Sequence, residues 1–232
     1  MTRMRIVPLG DRAALAYPAD ETAAVRLTAA IRKASWPWLI DVVPAYASVG
    51  IHFDANRVTY SEVEKALRLL STGLPVRKAP GRKHQIPCCY EMALDLERVA
   101  ELTKLTPEEV IALHAGHEFT VYAIGFAPGF PYLGYLPAEL TGVPRLSSPR
   151  VRVPAGSVGL TGRQTGIYPQ ERPGGWNLIG RTPLTLVDLA DGFFPLRVGD
   201  TVAFERIDEA RFRQLDGERL QSGAELLAVA SV

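Results

Sequence analysis

The sequence predicts an α+β protein in two parts, an N-terminal domain of alternating strands and helices and a C-terminal domain built of strands. Three observations carry this. Up to residue 90, runs of period-2 hydrophobicity alternate with runs of helical period. From Gly125 to Pro183 the texture changes: eleven of the 20 glycines and nine of the 18 prolines fall there, and no long amphipathic helix fits. With 232 residues, 47% hydrophobic and 22% charged, the chain can bury a sizeable core in one or two domains.

Met4 to Tyr17 reads as strand, broken by a turn at Gly10-Asp11. Asp20 caps a helix whose positions Ala24, Leu27, Ile31 and Ala34 share one face. Trp36-Pro37-Trp38 ends it, and Leu39 to Val43 is a strand. In Tyr46 to Phe53, Ala47, Val49, Ile51 and Phe53 alternate with Tyr46, Ser48, Gly50 and His52, the pattern of a half-buried strand. Thr59 with Glu62 forms a capping box for a helix with Val63, Ala66, Leu67 and Leu70 inside, closed at Gly73. Leu74 to Arg82 reads as a linker and His84 to Tyr90 as a strand. The resulting order β-α-β-β-α-β is the split βαβ, or ferredoxin-like, arrangement. Domains are expected over 1–82 and 83–232.

Asp95 is a helix cap with Val99 and Leu102 inside. Thr106, Pro107 and Glu109 open a second short helix, with Val110 and Leu113 facing the core and Gly116 ending it. Phe119 to Ile124, Leu184 to Leu189 and Thr201 to Arg206 read as strands, with Gly199-Asp200 as a turn. Short strands and tight turns predict a closed or nearly closed β-barrel.

A net charge of +1 gives no nucleic-acid footprint and no membrane-surface patch. No apolar run reaches the roughly 18 residues of a membrane span, and MTRMRIVPLGDR lacks the apolar core of a signal peptide. The two cysteines, Cys88 and Cys89, are neighbours and point to opposite faces of a strand, which disfavours a disulfide. The expected compartment is the cytosol.

The candidate chemistry lies in two stretches. GFAPGFPYLGYLP, Gly125 to Pro137, puts Phe126, Phe130, Tyr132 and Tyr135 on a rigid Gly/Pro scaffold that can line a concave wall. In Ser148 to Leu184, Gly156, Gly159 and Gly162 recur every third residue, which suits a close ligand or barrel turns equally. No Gly-Lys-Ser/Thr follows, so this is not a P-loop. Arg145, Arg150, Arg152, Arg163, Arg172 and Arg181 lie in or beside this stretch. They suggest an anionic ligand, and Arg150 is the favoured clamp. Gln164, Thr165 and Tyr168 offer neutral donors and acceptors, with the Gly156–Ser157 backbone as a further amide contact. Trp176, after Gly174-Gly175, reads as a core plug in preference to a pocket wall. Ala-Gly-Ser-Val-Gly around Ser157 is not a nucleophile elbow. His114 and His117 share metal-ligand spacing, yet no third ligand accompanies them and no metal is expected. His114 is a candidate acid/base, a polar anchor at a pocket wall, or a satisfied core histidine.

GFAPGFPYLGYLP followed by PRVRVPAGSVGLTGRQTGIYPQERPGGWNLIGRTPLTLVD resembles the PxpB family, also called KipI-like or allophanate hydrolase subunit 1-like. The likeness extends to about Phe204 and is strongest from His114 to Asp188. It implies a ferredoxin-like domain followed by a cyclophilin-like β-barrel. It also implies a subunit of an ATP-dependent 5-oxoprolinase that opens 5-oxo-L-proline to L-glutamate with PxpC-like and PxpA-like partners. No ATP motif is visible, so ATP is expected partly or wholly on a partner. The resemblance further implies two alternatives: a KipI-like inhibitor of a sensor histidine kinase, or half of a biotin-dependent carboxyltransferase of the urea carboxylase type. Many members carry a glycine pair after the tyrosine matching Tyr90; this chain has Glu91-Met92.

Overall fold

The structure, a computed structural model, describes residues 4–73 and 81–221. The chain divides into two compact units, 1–79 and 80–232. Most of the expected linker, 74–80, lies outside the described residues. Together the units make a mixed α/β protein dominated by antiparallel sheet.

In the first unit β1 (Arg5–Pro8) and β2 (Ala13–Tyr17) form a hairpin, turned at Gly10 with φ 66°. α1 (Glu21–Ala34) follows, and the Asp20 carboxylate accepts from the Ala23 amide at 2.7 Å. β3 (Leu39–Ala45) and β4 (Ser48–Phe53) come next, then α2 (Tyr60–Thr72), opened by the Thr59/Glu62 capping box. The antiparallel order is β1-β2-β4-β3. Both helices pack on this sheet and on each other, so Leu27, Ile31, Ile51, Phe53, Val63 and Leu67 share one core. The alternation predicted from Tyr46 starts later. Tyr46 turns the chain at φ 53°, and the strand begins at Ser48.

One predicted element belongs elsewhere. The strand over His84–Tyr90 was expected to complete β-α-β-β-α-β. It is β5 (Lys83–Cys88) of the second unit, parallel to β13 (Thr201–Arg206). β1 takes the place beside β2 instead, because the turn at Gly10 folds it straight back.

The second unit adds α3 (Leu96–Thr103), α4 (Pro107–Ala115), β6 (Glu118–Ile124) and β7 (Pro131–Gly134). β8 (Arg150–Val153), β9 (Ser157–Thr161), β10 (Gln164–Ile167), β11 (Arg172–Gly174) and β12 (Asn177–Arg181) follow, and α5 (Glu209–Leu215) comes after β13. The sheet runs β5-β13-β6-β7-β10-β9-β12, with β8 and β11 as a separate ribbon. It does not close into a barrel. Among the described residues its ends meet at Cys89 and Arg181, which exchange two backbone hydrogen bonds of 2.8 and 3.0 Å. Past that point the Tyr90–Asp95 segment occupies the edge of β12: the amides of Leu94 and Asp95 both donate to the Leu178 carbonyl. This is the segment with Glu91-Met92 in place of glycines. Gly180 permits the approach, since a Cβ there would lie 2.6 Å from the Cys88 sulfur. Both cysteines are free and buried.

Leu184–Leu189 is not a strand. Only single bridges, Thr185 to Arg219 and Asp188 to Phe193, hold it, because it turns sharply through Gly192 at φ 69°. Leu102, expected inside α3, is 47% exposed. No helix among the described residues is long and apolar enough to cross a membrane.

Candidate functional site

The segment Gly125–Gly134 folds into a tight turn leading into β7. Phe130 donates its amide to the Ala127 carbonyl, and Gly125 donates to that of Phe130. The turn places Phe130 at the centre of an aromatic cluster. Its ring meets those of Tyr132 at 5.0 Å, Tyr168 at 5.1 Å and Trp176 at 5.5 Å, all edge-on. Edge-to-face pairs of this kind add about 0.5–1.5 kcal/mol each beyond simple burial. Gly166 of β10 faces the cluster: a Cβ there would lie 2.8 Å from the Pro131 carbonyl, 3.0 Å from Trp176 and 3.1 Å from Phe130.

Phe130 and Tyr168 are buried and Tyr132 half-buried, whereas Phe126 is 62% exposed. Phe126 also has φ 68°, a left-handed backbone that a residue with a side chain adopts at a cost of about 1–2 kcal/mol. Its ring stands edge-on to Phe130 and Tyr168, at 5.4 and 6.3 Å. The cluster therefore presents a solvent-facing aromatic rim on a packed base. Tyr135, named with these rings in the sequence, points elsewhere: its ring lies tilted against that of Tyr122 and under the Arg163 guanidinium.

His114 lies apart from this rim, fully buried near the end of α4. Thr165 donates to the Gly159 carbonyl at 3.0 Å, so its oxygen is free to accept from His114 Nε2, also 3.0 Å away. His114 Nδ1 then accepts from the Tyr90 hydroxyl at 2.8 Å. Burial pulls the imidazole down to about 3, and His117 adds to this, so the ring is neutral. Burial likewise raises the Tyr90 phenol. With both nitrogens occupied and no exposed edge, His114 ties α4 to β9, β10 and Tyr90 as a core anchor. Of the readings open from sequence, this geometry matches the satisfied core histidine. Among the described residues no cluster of His, Cys, Asp and Glu could hold a metal.

Arg150 is also engaged within the fold. Its guanidinium grips Asp95 with two hydrogen bonds, 2.9 and 2.7 Å, and Asp95 also accepts the Leu178 amide at 2.7 Å. This removes the expected cap: Asp95 makes no side-chain bond to α3. Gly156 and Ser157 are not open donors. The Gly156 amide donates to Tyr168 and that of Ser157 to Pro154. Gly162 donates to Val143, and Gly159 sits in the ladder between β10 and β12. The glycine run is strand and turn. Gly156 does line a surface cleft of about 390 Å³ with Glu171, Arg181 and Thr182. Gln164 is half-buried at the start of β10, opposite Gly134. The structure thus gathers Phe126, Phe130, Tyr132 and Tyr168 in one place, and puts His114 and Thr165 in another. Trp176 is buried in the packed base of the cluster, the core plug that the sequence favoured; sequence reasoning missed Asp95 as the partner of Arg150.

Residues 4–192 match the family described as carboxyltransferase domain, subdomain C and D. The chain belongs to this family. Within it, the relatives place the chain in the PxpB/KipI-like branch, whose curated members are named as the B subunit of 5-oxoprolinase. It is 39% identical to the Bacillus subtilis protein of that name, over 89% of this chain and 94% of that protein. It is 40% identical to that of Haemophilus influenzae, over 87% and 97%. Among solved structures it is similar to TTHA0988, with a TM-score of 0.75 and 36% identity over 85% of this chain; it spans only 40% of that longer protein. The urea amidolyase of K. lactis shares the fold, with a TM-score of 0.74, 17% identity and 94% of this chain covered.

Proposed function

We propose that this family member is a subunit of a 5-oxoprolinase, and that its aromatic rim forms part of the substrate site. The observation that carries the reading is near full-length similarity, about 40% identical, to two proteins named as the B subunit of that enzyme. A five-membered lactam is flat and largely apolar, with a polar amide edge and a carboxylate. Aromatic edges and phenol hydroxyls on a rigid base suit such a ring at low ordering cost. Phe126, held outward at a backbone cost, covers one side of the ring, and the half-buried Tyr132 approaches its polar edge.

The overall reaction consumes ATP. The amides of Gly156 and Gly162, in the glycine-rich stretch, are engaged in the fold and are not open to a nucleotide phosphate. ATP is therefore assigned to a PxpC-like or PxpA-like partner, and the site to the meeting of this rim with that partner. In this reading the ferredoxin-like and cyclophilin-like descriptions apply to the first unit and to the curved sheet of the second, and the assembly works in the cytosol.

The test is ADP release on adding 5-oxo-L-proline to this chain alone, to PxpC-like and PxpA-like partners alone, and to the mixture. Release only in the mixture supports the shared site. Full-rate turnover by the isolated chain contradicts it. No release from a verified assembly rejects the 5-oxoprolinase reading and turns attention to a sensor histidine kinase as partner.

A further inference from the structure

Six arginines lie in or beside the glycine-rich stretch, and five have partners within the fold. Arg150 holds Asp95 and Arg152 holds Glu171. Arg163 lies over the Tyr135 ring, Arg172 donates to Gln170, and Arg181 donates to the Ala155 carbonyl. Arg145 is the exception. It is exposed and has no carboxylate partner among the described residues.

Its place is nevertheless built. The Leu146 amide donates to the Gly175 carbonyl at 2.8 Å, and the Asn177 side-chain amide donates to the Pro144 carbonyl at 2.9 Å. Arg145 is thereby held between two bonds, its backbone opposite that of Trp176, whose ring is 5.9 Å from that of Tyr132. Asn177 is itself fixed, buried and accepting from Arg98 at 3.0 Å. The electrostatics agree. Burial raises the phenols of Tyr132 and Tyr168, and the positive charge of Arg145 opposes this at both.

We propose that Arg145 is the carboxylate-binding residue of the aromatic site, holding the acid group of a small flat-ringed ligand beside the half-buried Tyr132, above the buried Tyr168 and Trp176. The ring class rests on the 5-oxoprolinase reading; the carboxylate contact does not. A guanidinium fork matches a carboxylate with two parallel hydrogen bonds, and a half-dry aromatic surface strengthens the pair.

The experiment is a titration followed by NMR at the Trp176 indole, with Trp36 and Trp38 of the other unit as internal references. The probes are 5-oxo-L-proline, cyclopentanecarboxylate (the acid without the lactam), 2-pyrrolidinone (the lactam without the acid) and inorganic phosphate. For the wild type, both acids shift Trp176. R145Q is expected to weaken both acids roughly tenfold or more, the loss of a charge-assisted pair, and to leave 2-pyrrolidinone unchanged. R145K falls between, and R152Q, altered at an exposed residue of the neighbouring ribbon, behaves as wild type. Arg145 is exposed, so R145Q keeps the wild-type thermal midpoint. Cyclopentanecarboxylate bound through Arg145 with no response to 5-oxo-L-proline keeps the Arg145 site and rejects the 5-oxoproline reading. Equal binding of 5-oxo-L-proline to wild type and R145Q overturns the Arg145 proposal and leaves that reading intact. No Trp176 response to either acid, or a response to phosphate alone, overturns it also.

Discussion

Arg150 and Asp95 face each other through two hydrogen bonds of 2.9 and 2.7 Å, and Asp95 is 7% exposed. The pair joins β8 to the segment that covers β12. Removing Arg150 leaves a carboxylate with only the Leu178 amide to hold it. Arg150→Ala is expected to lower stability by about 2–4 kcal/mol in urea denaturation. A double-mutant cycle with Asp95→Ala should return a clear coupling energy; additive effects would mean the pair contributes little.

His114 sets an acid limit. Its folded value is about 3 against the ordinary 6.5, so between these the unfolded chain binds the extra proton. Its contribution is fully present above pH 6.5 and is lost as pH falls toward 3. Between pH 7 and pH 5 this costs about 2 kcal/mol, measurable as a falling urea midpoint. His114→Gln should flatten that dependence while lowering stability at pH 7. Tyr90→Phe, which leaves His114 Nδ1 without its donor, should cost about 1–2 kcal/mol.

Gly166→Ala places a methyl against the Pro131 carbonyl and two rings. The pairing of β10 with β7 must shift, at about 1–3 kcal/mol. The signature is changed tryptophan fluorescence together with a lower midpoint. A variant with unaltered fluorescence would mean the cluster has slack that the distances do not suggest.

Phe126→Gly separates stability from function. Glycine adopts φ 68° freely, which offsets the loss of a ring already 62% exposed. Stability should change by less than about 1 kcal/mol, while turnover by the assembled enzyme falls at least severalfold through a higher KM. Unchanged kinetics would remove Phe126 from the site.

Much of the fold was legible because local signals were strong. The capping boxes at Thr59 and Thr106 and the alternation from Val49 to Phe53 depend on neighbours in sequence, and the structure contains all three. The misplaced features depend on distant residues. His84–Cys88 looks like any strand; only its partner Thr201–Arg206 assigns it to the second unit. Asp95 looks like a cap until Arg150, 55 residues on, claims it. The aromatic motif was legible as a wall, since Gly and Pro fix its shape locally. The partners of the six arginines were not, because they depend on residues distant in sequence, such as Asp95 for Arg150 and Glu171 for Arg152.

The most direct measurement of the central claim is conversion of carbon-13-labelled 5-oxo-L-proline to L-glutamate by the reconstituted assembly, with and without this chain. The account predicts glutamate only when the chain is present, and a marked loss with Phe126→Gly. Equal conversion by the partners without it would contradict the account.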